Sequence, residues 1–268
     1  MLSSRPPIIT LTTDFGITDS YAAIMKGVLL SICPHAQLVD VSHLVPPQDL
    51  AAGALLLRQA APFFPPETVH LAVVDPGVGT ERRAVAVSGP QGLFVAPDNG
   101  LLTGVLPPDL SGVRAVDLNR PQFWLPAPST TFHGRDIFAP VAAYLAAGAT
   151  LLDVGEPIPP EGLTRLPWPK PTRRGHQLAG EVIYVDHFGN LVTNIQQSDL
   201  EHVSAATVFV SEQRAGSVVR TYGDRGPGEP VAYVGSSGLL EIGVVNCNAA
   251  EALGAGRGSP VTVILAEN

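Results

Sequence analysis

Residues 8–77 read IITLTTDFGITDSYAAIMKGVLLSICPHAQLVDVSHLVPPQDLAAGALLLRQAAPFFPPETVHLAVVDPG, and this stretch decides the fold. Ile8–Thr12 is short, apolar and β-branched, and it stops at the polar turn Thr13-Asp14-Phe15-Gly16. From Ser20 onward, Ala22, Ala23, Met25, Val28, Leu29 and Ile32 recur at helical spacing until Pro34 ends the run. Leu38–Val41 predicts a second strand. Asp49 is placed to cap a helix carrying Leu50, Ala54 and Leu57, which closes before Pro62. Val69–Val74 predicts a third strand, apolar on both faces and ending in Asp75-Pro76-Gly77. Strands alternating with helices in this way imply an α/β, sandwich-like domain around a mostly parallel, buried sheet.

Working outward, further strands are expected at Ala84–Ser88, Leu93–Ala96 and Val113–Val116, and a helix at Asp136–Ala147 with Pro140 in its first turns. The texture then changes. Residues 158–175, IPPEGLTRLPWPKPTRRG, are rich in proline and basic side chains and carry no periodic run. Short strand-like runs follow at Leu178–Val185, Leu191–Ile195, Thr207–Val210, Val218–Thr221, Val231–Val234, Leu239–Val245 and Val261–Leu265. They predict a small all-β barrel or sandwich. The expected organisation is an N-terminal α/β domain over 1–160, a linker over 161–176 and a C-terminal β-barrel domain over 177–268.

Composition narrows the function. The chain has 268 residues with 16 Lys+Arg and 24 Asp+Glu, a net charge of −8. That balance lacks the basic footprint a nucleic-acid partner requires and better tolerates a cationic small molecule. With 45% apolar residues it is a folding sequence rather than a disordered one. Cys33 and Cys247 are too few for a disulfide framework or a zinc cluster. No signal-peptide pattern opens the chain, and no apolar run approaches the roughly 20 residues of a membrane span. A soluble, cytoplasmic protein without membrane contact is the expectation.

Ligands of α/β sheets sit beyond the carboxyl ends of strands. Three polar clusters fall there: Thr13-Asp14, Asp75-Pro76-Gly77-Val78-Gly79, and Phe132-His133-Gly134-Arg135-Asp136. DPGVGTERR could form a backbone anion nest, but the chain has neither GxxxxGK[ST] nor GxGxxG, which argues against a nucleotide-triphosphate site. A free imidazole titrates near neutrality, so His133 together with Asp75 and Arg82 or Arg83 could hold a water molecule in a dry pocket. A metal site from Asp14, Asp19, Asp75, His133 and Asp136 is the competing reading. In the second domain, DHFGNLVTN (186–194) is a tight turn in which Phe188 offers an apolar surface and Asn190 can both donate and accept. Tyr222, the Ser236-Ser237-Gly238 turn and Glu241 add further polar groups.

Taken together, TDFGxxDxYxAxMKG, DPGVGTERR, APDNGLLT (96–103), TFHGRDIFAP (131–140), DHFGNLVTNI (186–195) and SSGLLEI (236–242) resemble the S-adenosyl-L-methionine hydroxide adenosyltransferase (SAM hydrolase) family, which is related to fluorinase and chlorinase. The resemblance implies an N-terminal α/β domain with a C-terminal barrel. It also implies a homotrimer with sites at subunit interfaces, no cofactor, and hydrolysis of S-adenosyl-L-methionine to adenosine and L-methionine. It maps the water-positioning trio to Asp75, Arg82 and His133. It places the ribose on Asp14 and the methionine ammonium on Asp186 with Ser236 nearby. The adenine would lie on Asn190 and Tyr222, with backbone around Val244 or Ala249. Halogenating relatives carry a hydroxyl residue at the position of Gly134 and an aromatic at that of Asp75, so water is the expected nucleophile here. A non-catalytic adenosine or S-adenosylmethionine binder, or a halide-using relative, are the alternatives.

Overall fold

The computed structural model describes residues 5–201 and 206–266. The chain divides into two compact units, residues 1–166 and 167–268. In the first, the elements run β1 (Ile8–Thr13), α1 (Tyr21–Ile32), β2 (Gln37–Ser42), α2 (Leu50–Ala60), β3 (Val69–Val73), β4 (Ala84–Gly89), β5 (Gly92–Pro97), β6 (Arg114–Asp117), α3 (Ala139–Ala146), α4 (Leu151–Val154) and β7 (Glu156–Ile158). The sheet order is β2-β1-β3-β5-β4-β6-β7. β2, β1, β3, β5 and β6 run one way; β4 and β7 run against them. β3 is buried along its whole length, His70 in its middle included. Met25 and Leu29 of α1 and Phe138, Val141 and Ala142 around α3 pack on Ile9, Leu11, Leu71 and Val73. Each of these side chains larger than alanine contributes about 1.5–3 kcal/mol by leaving water.

Two features of this unit position the site. Parallel pairing of β1 with β3 sets Thr13 beside Val73, so Asp14 and Asp75 leave neighbouring strand ends on the same edge. The helix expected from Asp136 begins instead as a π-helical turn over Gly134–Phe138 and becomes α-helical at Ala139. The cause is Pro140. It has no N–H to give the carbonyl of Asp136, and that carbonyl accepts from the backbone N–H of Leu125 at 2.9 Å instead. Asp49 caps α2 as its position predicts, accepting from Ala52 N–H at 3.0 Å.

The second unit contains β8 (Thr172–Arg174), β9 (Gln177–Val185), β10 (Leu191–Gln196), β11 (Ala206–Val210), β12 (Gln213–Val219), β13 (Pro230–Val234), β14 (Leu239–Val244), α5 (Ala249–Ala252) and β15 (Pro260–Leu265). Strands β10-β14-β13-β12-β11-β15-β9 close on themselves through β9–β10, with β8 added outside β9. Closure works because β9 is long: Gln177–Glu181 pairs with β15 and Val182–Val185 with β10. The strand expected at Val218–Thr221 lies earlier, at Gln213–Val219. Its first residues are polar or small, and the hairpin from β11 turns through Ser211 and Glu212 at positive φ (46° and 69°), which no Gly or Asn announces. β8 lies within the proline-rich, basic stretch. Among the described residues no helix is long and apolar enough to cross a membrane.

Candidate active site

At the carboxyl edge of the first sheet, Asp75, Arg82 and His133 meet. Arg82 Nε donates to Asp75 Oδ1 at 2.9 Å and Oδ2 at 3.1 Å, and Arg82 Nη2 donates to Oδ2 as well. The same Nη2 lies 2.9 Å from His133 Nδ1. The ion pair is sheltered, with side-chain exposures of 10% for Arg82 and 5% for Asp75. The Phe138 ring lies 5.1 Å beneath the guanidinium carbon. Because a guanidinium only donates, Nδ1 must be the acceptor; the imidazole is neutral and its proton sits on Nε2. Burial first, and the adjacent Arg82 charge second, hold His133 below its ordinary pKa. Arg83 goes elsewhere, to Asp98 at 2.9 and 2.6 Å and to the carbonyl of Gly162.

Asp75 and His133, with Arg82 behind them, line a cavity of about 650 Å³ whose wall also includes Asp14, Phe15, Tyr21, Gln48, Phe132 and Gly134. Phe15, Tyr21 and Phe132 form an aromatic cluster with centroids 5.2–5.9 Å apart. Asp14 Oδ2 accepts the backbone N–H of Gln48 at 2.8 Å, with Gln48 held at φ 65°. His43, which sequence reasoning passed over, braces this edge. Its Nδ1 is 2.7 Å from Thr13 Oγ1, its Nε2 is 3.1 Å from Asp40, and its carbonyl takes the Gly16 N–H. Its only sequence signal was its position after β2, level with Thr13. The five residues of the metal reading are not gathered into one site. Asp75 is engaged by Arg82, and Asp136 by Arg135 and the Ser129 N–H. Among the described residues no group of three His, Cys, Asp or Glu side chains could hold a metal ion.

In the second unit a polar chain runs over the barrel. Asp186 Oδ1 accepts the N–H groups of Phe188 (2.9 Å) and Asn190 (2.8 Å), while its Oδ2 accepts from Asn190 Nδ2 at 2.8 Å. Asn190 Oδ1 lies 2.6 Å from the Tyr222 hydroxyl, which is 2.6 Å from that of Tyr233, which is 2.7 Å from Glu241 Oε2. Tyr233 was not anticipated; its register opposite Glu241 on β14 is what brings it in. Tyr222 packs against Tyr233 with ring centroids 4.6 Å apart. Phe188 is 74% exposed, Val244 and Ala249 are buried, and Ser236 is exposed on its turn.

Residues 9–155 match the N-terminal domain of SAM hydroxide adenosyltransferases and residues 180–262 the C-terminal domain. The chain belongs to the SAM hydroxide adenosyltransferase family. Among its relatives, the (R)-S-adenosyl-L-methionine hydrolase of Salinispora tropica is 45% identical over 96% of this chain and 97% of its own. The enzyme of that name from Thermus thermophilus is 43% identical over 94% and 97%. A fluorinase from Actinoplanes is more distant, at 33% identity over 90% and 92%. A conserved, uncharacterized Thermotoga maritima protein of known crystal structure superposes with a TM-score of 0.88 at 35% identity, covering 96% of this chain and 99% of its own. The six sequence motifs thus identified the SAM hydroxide adenosyltransferase family correctly.

Proposed function

We infer that this protein hydrolyses S-adenosyl-L-methionine to adenosine and L-methionine, taking the (R)-sulfonium form that its hydrolase relatives are named for. The observation that carries the reading is the Asp75–Arg82–His133 trio, two members of which, Asp75 and His133, line the cavity. Water attacks the ribose 5′ carbon in line with the sulfonium. The C–S bond breaks as the C–O bond forms, and methionine departs neutral at sulfur, so neither an acid nor a cofactor is required. What the residues supply is alignment and charge. Alignment of a near-attack pair is worth roughly 7–11 kcal/mol in favourable cases. The Nε2–H of His133 donates to one lone pair of the water and leaves the other for attack. Its Nδ1 is occupied by Arg82, so the Asp75 carboxylate takes the water proton as the bond forms, a contribution of about 10²–10⁴-fold. Arg82 stabilises the hydroxide character that develops.

A halide is the poorer nucleophile here. The Asp75 carboxylate repels it, and Gly134 presents no donor. A Cβ at Gly134 would already press on Met25 Sδ at 3.2 Å and the Phe15 ring at 3.3 Å. Asp14 beside Gln48 suits the ribose hydroxyls. Asp186 with Ser236 suits the methionine ammonium, and Asn190, Tyr222 and the Val244–Ala249 backbone suit the base, with Phe188 and Glu241 at its margin. Since these groups are divided between two compact units, a homotrimer that joins one copy's first unit to a neighbour's second completes the proposal. A cytoplasmic setting accords with two free cysteines. Incubating both sulfonium epimers in ¹⁸O-water tests the chemistry: label in the adenosine 5′-hydroxyl supports it, and unlabelled or absent adenosine refutes it. Light scattering of the eluted protein tests the trimer.

A further inference from the structure

The barrel's polar chain has fewer hydrogens than contacts. Asp186 Oδ2, the Asn190 amide, the Tyr222 and Tyr233 hydroxyls and Glu241 Oε2 make four successive contacts of 2.8, 2.6, 2.6 and 2.7 Å. Four contacts need four hydrogens. With both carboxylates ionised the chain owns three: one from each hydroxyl, and one from an amide nitrogen that faces a single neighbour. One contact would then press two lone pairs together inside a half-buried cluster, where an unmet polar contact is costly. Turning the amide over only moves the conflict to Asp186. A hydrogen on one terminal carboxyl satisfies all four contacts.

Asp186 is the wrong end for it, because its Oδ1 already accepts two backbone N–H groups, which favour the ionised form. We propose that Glu241 carries the fourth hydrogen and acts as a positioning residue: its proton, relayed through Tyr233 and Tyr222, sets which way the Asn190 amide faces. Glu241 donates to Tyr233, Tyr233 to Tyr222, Tyr222 to Asn190 Oδ1, and Asn190 Nδ2 to Asp186. Burial pushes the Glu241 carboxyl above its ordinary value; the hydrogen bond with Tyr233 opposes the shift and the charge of Asp186 adds to it. The titratable groups facing it are Tyr233 on β13, Tyr222 in the turn after β12 and Asp186 at the β9–β10 turn, while its partner on β10 is Val192. When the proton leaves, Tyr233 must donate to Glu241, the order of donors reverses, and the amide loses its fixed orientation. The consequence for ligand binding rests on reading Asn190 as the group that recognises adenine.

The test has two arms. Infrared spectra recorded across a pH series should show a protonated carboxylic-acid band whose midpoint lies above the ordinary glutamate value of about 4.3. Glu241→Gln should remove that band, and Asp186→Asn should not. In calorimetry with adenosine as the probe, wild-type affinity should fall roughly 5- to 100-fold as pH rises through that midpoint, the cost of one misplaced buried donor. Glu241→Gln supplies a donor that does not titrate and should be flat over the same interval. A band absent above the ordinary range, or one that survives Glu241→Gln and vanishes in Asp186→Asn, overturns the assignment. A titrating band with pH-independent adenosine affinity overturns the positioning role. A titrating band with no adenosine binding at any pH overturns that role and the adenine reading of Asn190 together, while the placement of the proton stands.

Discussion

Replacing Arg82 with lysine keeps the charge and removes the geometry, which makes it a sharp test of the trio. Arg82 uses two different nitrogens: Nε and Nη2 hold Asp75, and Nη2 also reaches His133 at 2.9 Å. A lysine ammonium has one nitrogen on a stem one bond shorter, so it loses the second nitrogen on Asp75 and stops short of the place from which Nη2 meets both partners. The attraction to Asp75 wins, so the contact to Nδ1 is lost. A hydrogen bond to a charged group is worth about 1.5–3 kcal/mol. At about 1.36 kcal/mol per decade, that becomes a fall in kcat of roughly 10- to 150-fold. KM should change little, because the substrate-binding groups lie elsewhere. The imidazole, released from its fixed tautomer, no longer keeps its Nε2 proton on the water. Adenosine formation followed by chromatography gives kcat and KM, and a thermal melt confirms that the fold survives. A variant retaining kcat within about threefold of wild type, at an unchanged melting temperature, would refute the argument.

Other perturbations have equally definite signs. The proposed chemistry uses the neutral ring of His133, and burial and Arg82 hold its pKa low, so kcat/KM should be level at neutral pH. It should decline only as pH falls through that lowered value, which initial rates across the acid range will show. His70 is buried, its pKa lowered from 6.5 to about 4. The unfolded chain therefore takes a proton that the folded one refuses, and this group costs about 3 kcal/mol of stability as pH drops from 6.5 to 4. Urea melts of wild type and His70→Asn should converge in their pH dependence if that is wrong. Gly79 has φ 79° and its missing Cβ would come 2.5 Å from the Thr130 carbonyl, so Gly79→Ala should lose about 1–3 kcal/mol. It should also lower kcat/KM, since this contact registers the Asp75–Arg82 turn against the loop before His133. Arg83→Lys, by contrast, should move stability and leave kcat alone, because Arg83 serves Asp98.

Much of this was legible in the chain because local chemistry and global fold agree. β1, α1, β2, α2 and β3 fall within a residue or two of their apolar runs; β1, α2 and β3 bury theirs, while β2 has no buried residue and is held at the sheet edge by pairing with β1. β12 and β8 were not legible at their true limits. Their residues are polar or small, and they are strands only because a neighbouring edge supplies hydrogen-bond partners. His43 and Tyr233 were missed for a related reason: each earns its place through the register of a partner strand, which no local pattern encodes.

The sequence alone settled the α/β-then-barrel order and the family, and it named the candidate site residues, because apolar periodicity and motif chemistry are properties of neighbours along the chain. Three matters waited for the tertiary structure: that Arg82 rather than Arg83 holds Asp75, that His133 offers Nε2–H, and that four contacts on the barrel share one extra proton. Each depends on distances between groups dozens of residues apart, and hydrogen-bond accounting has meaning only once donors and acceptors have been brought within reach.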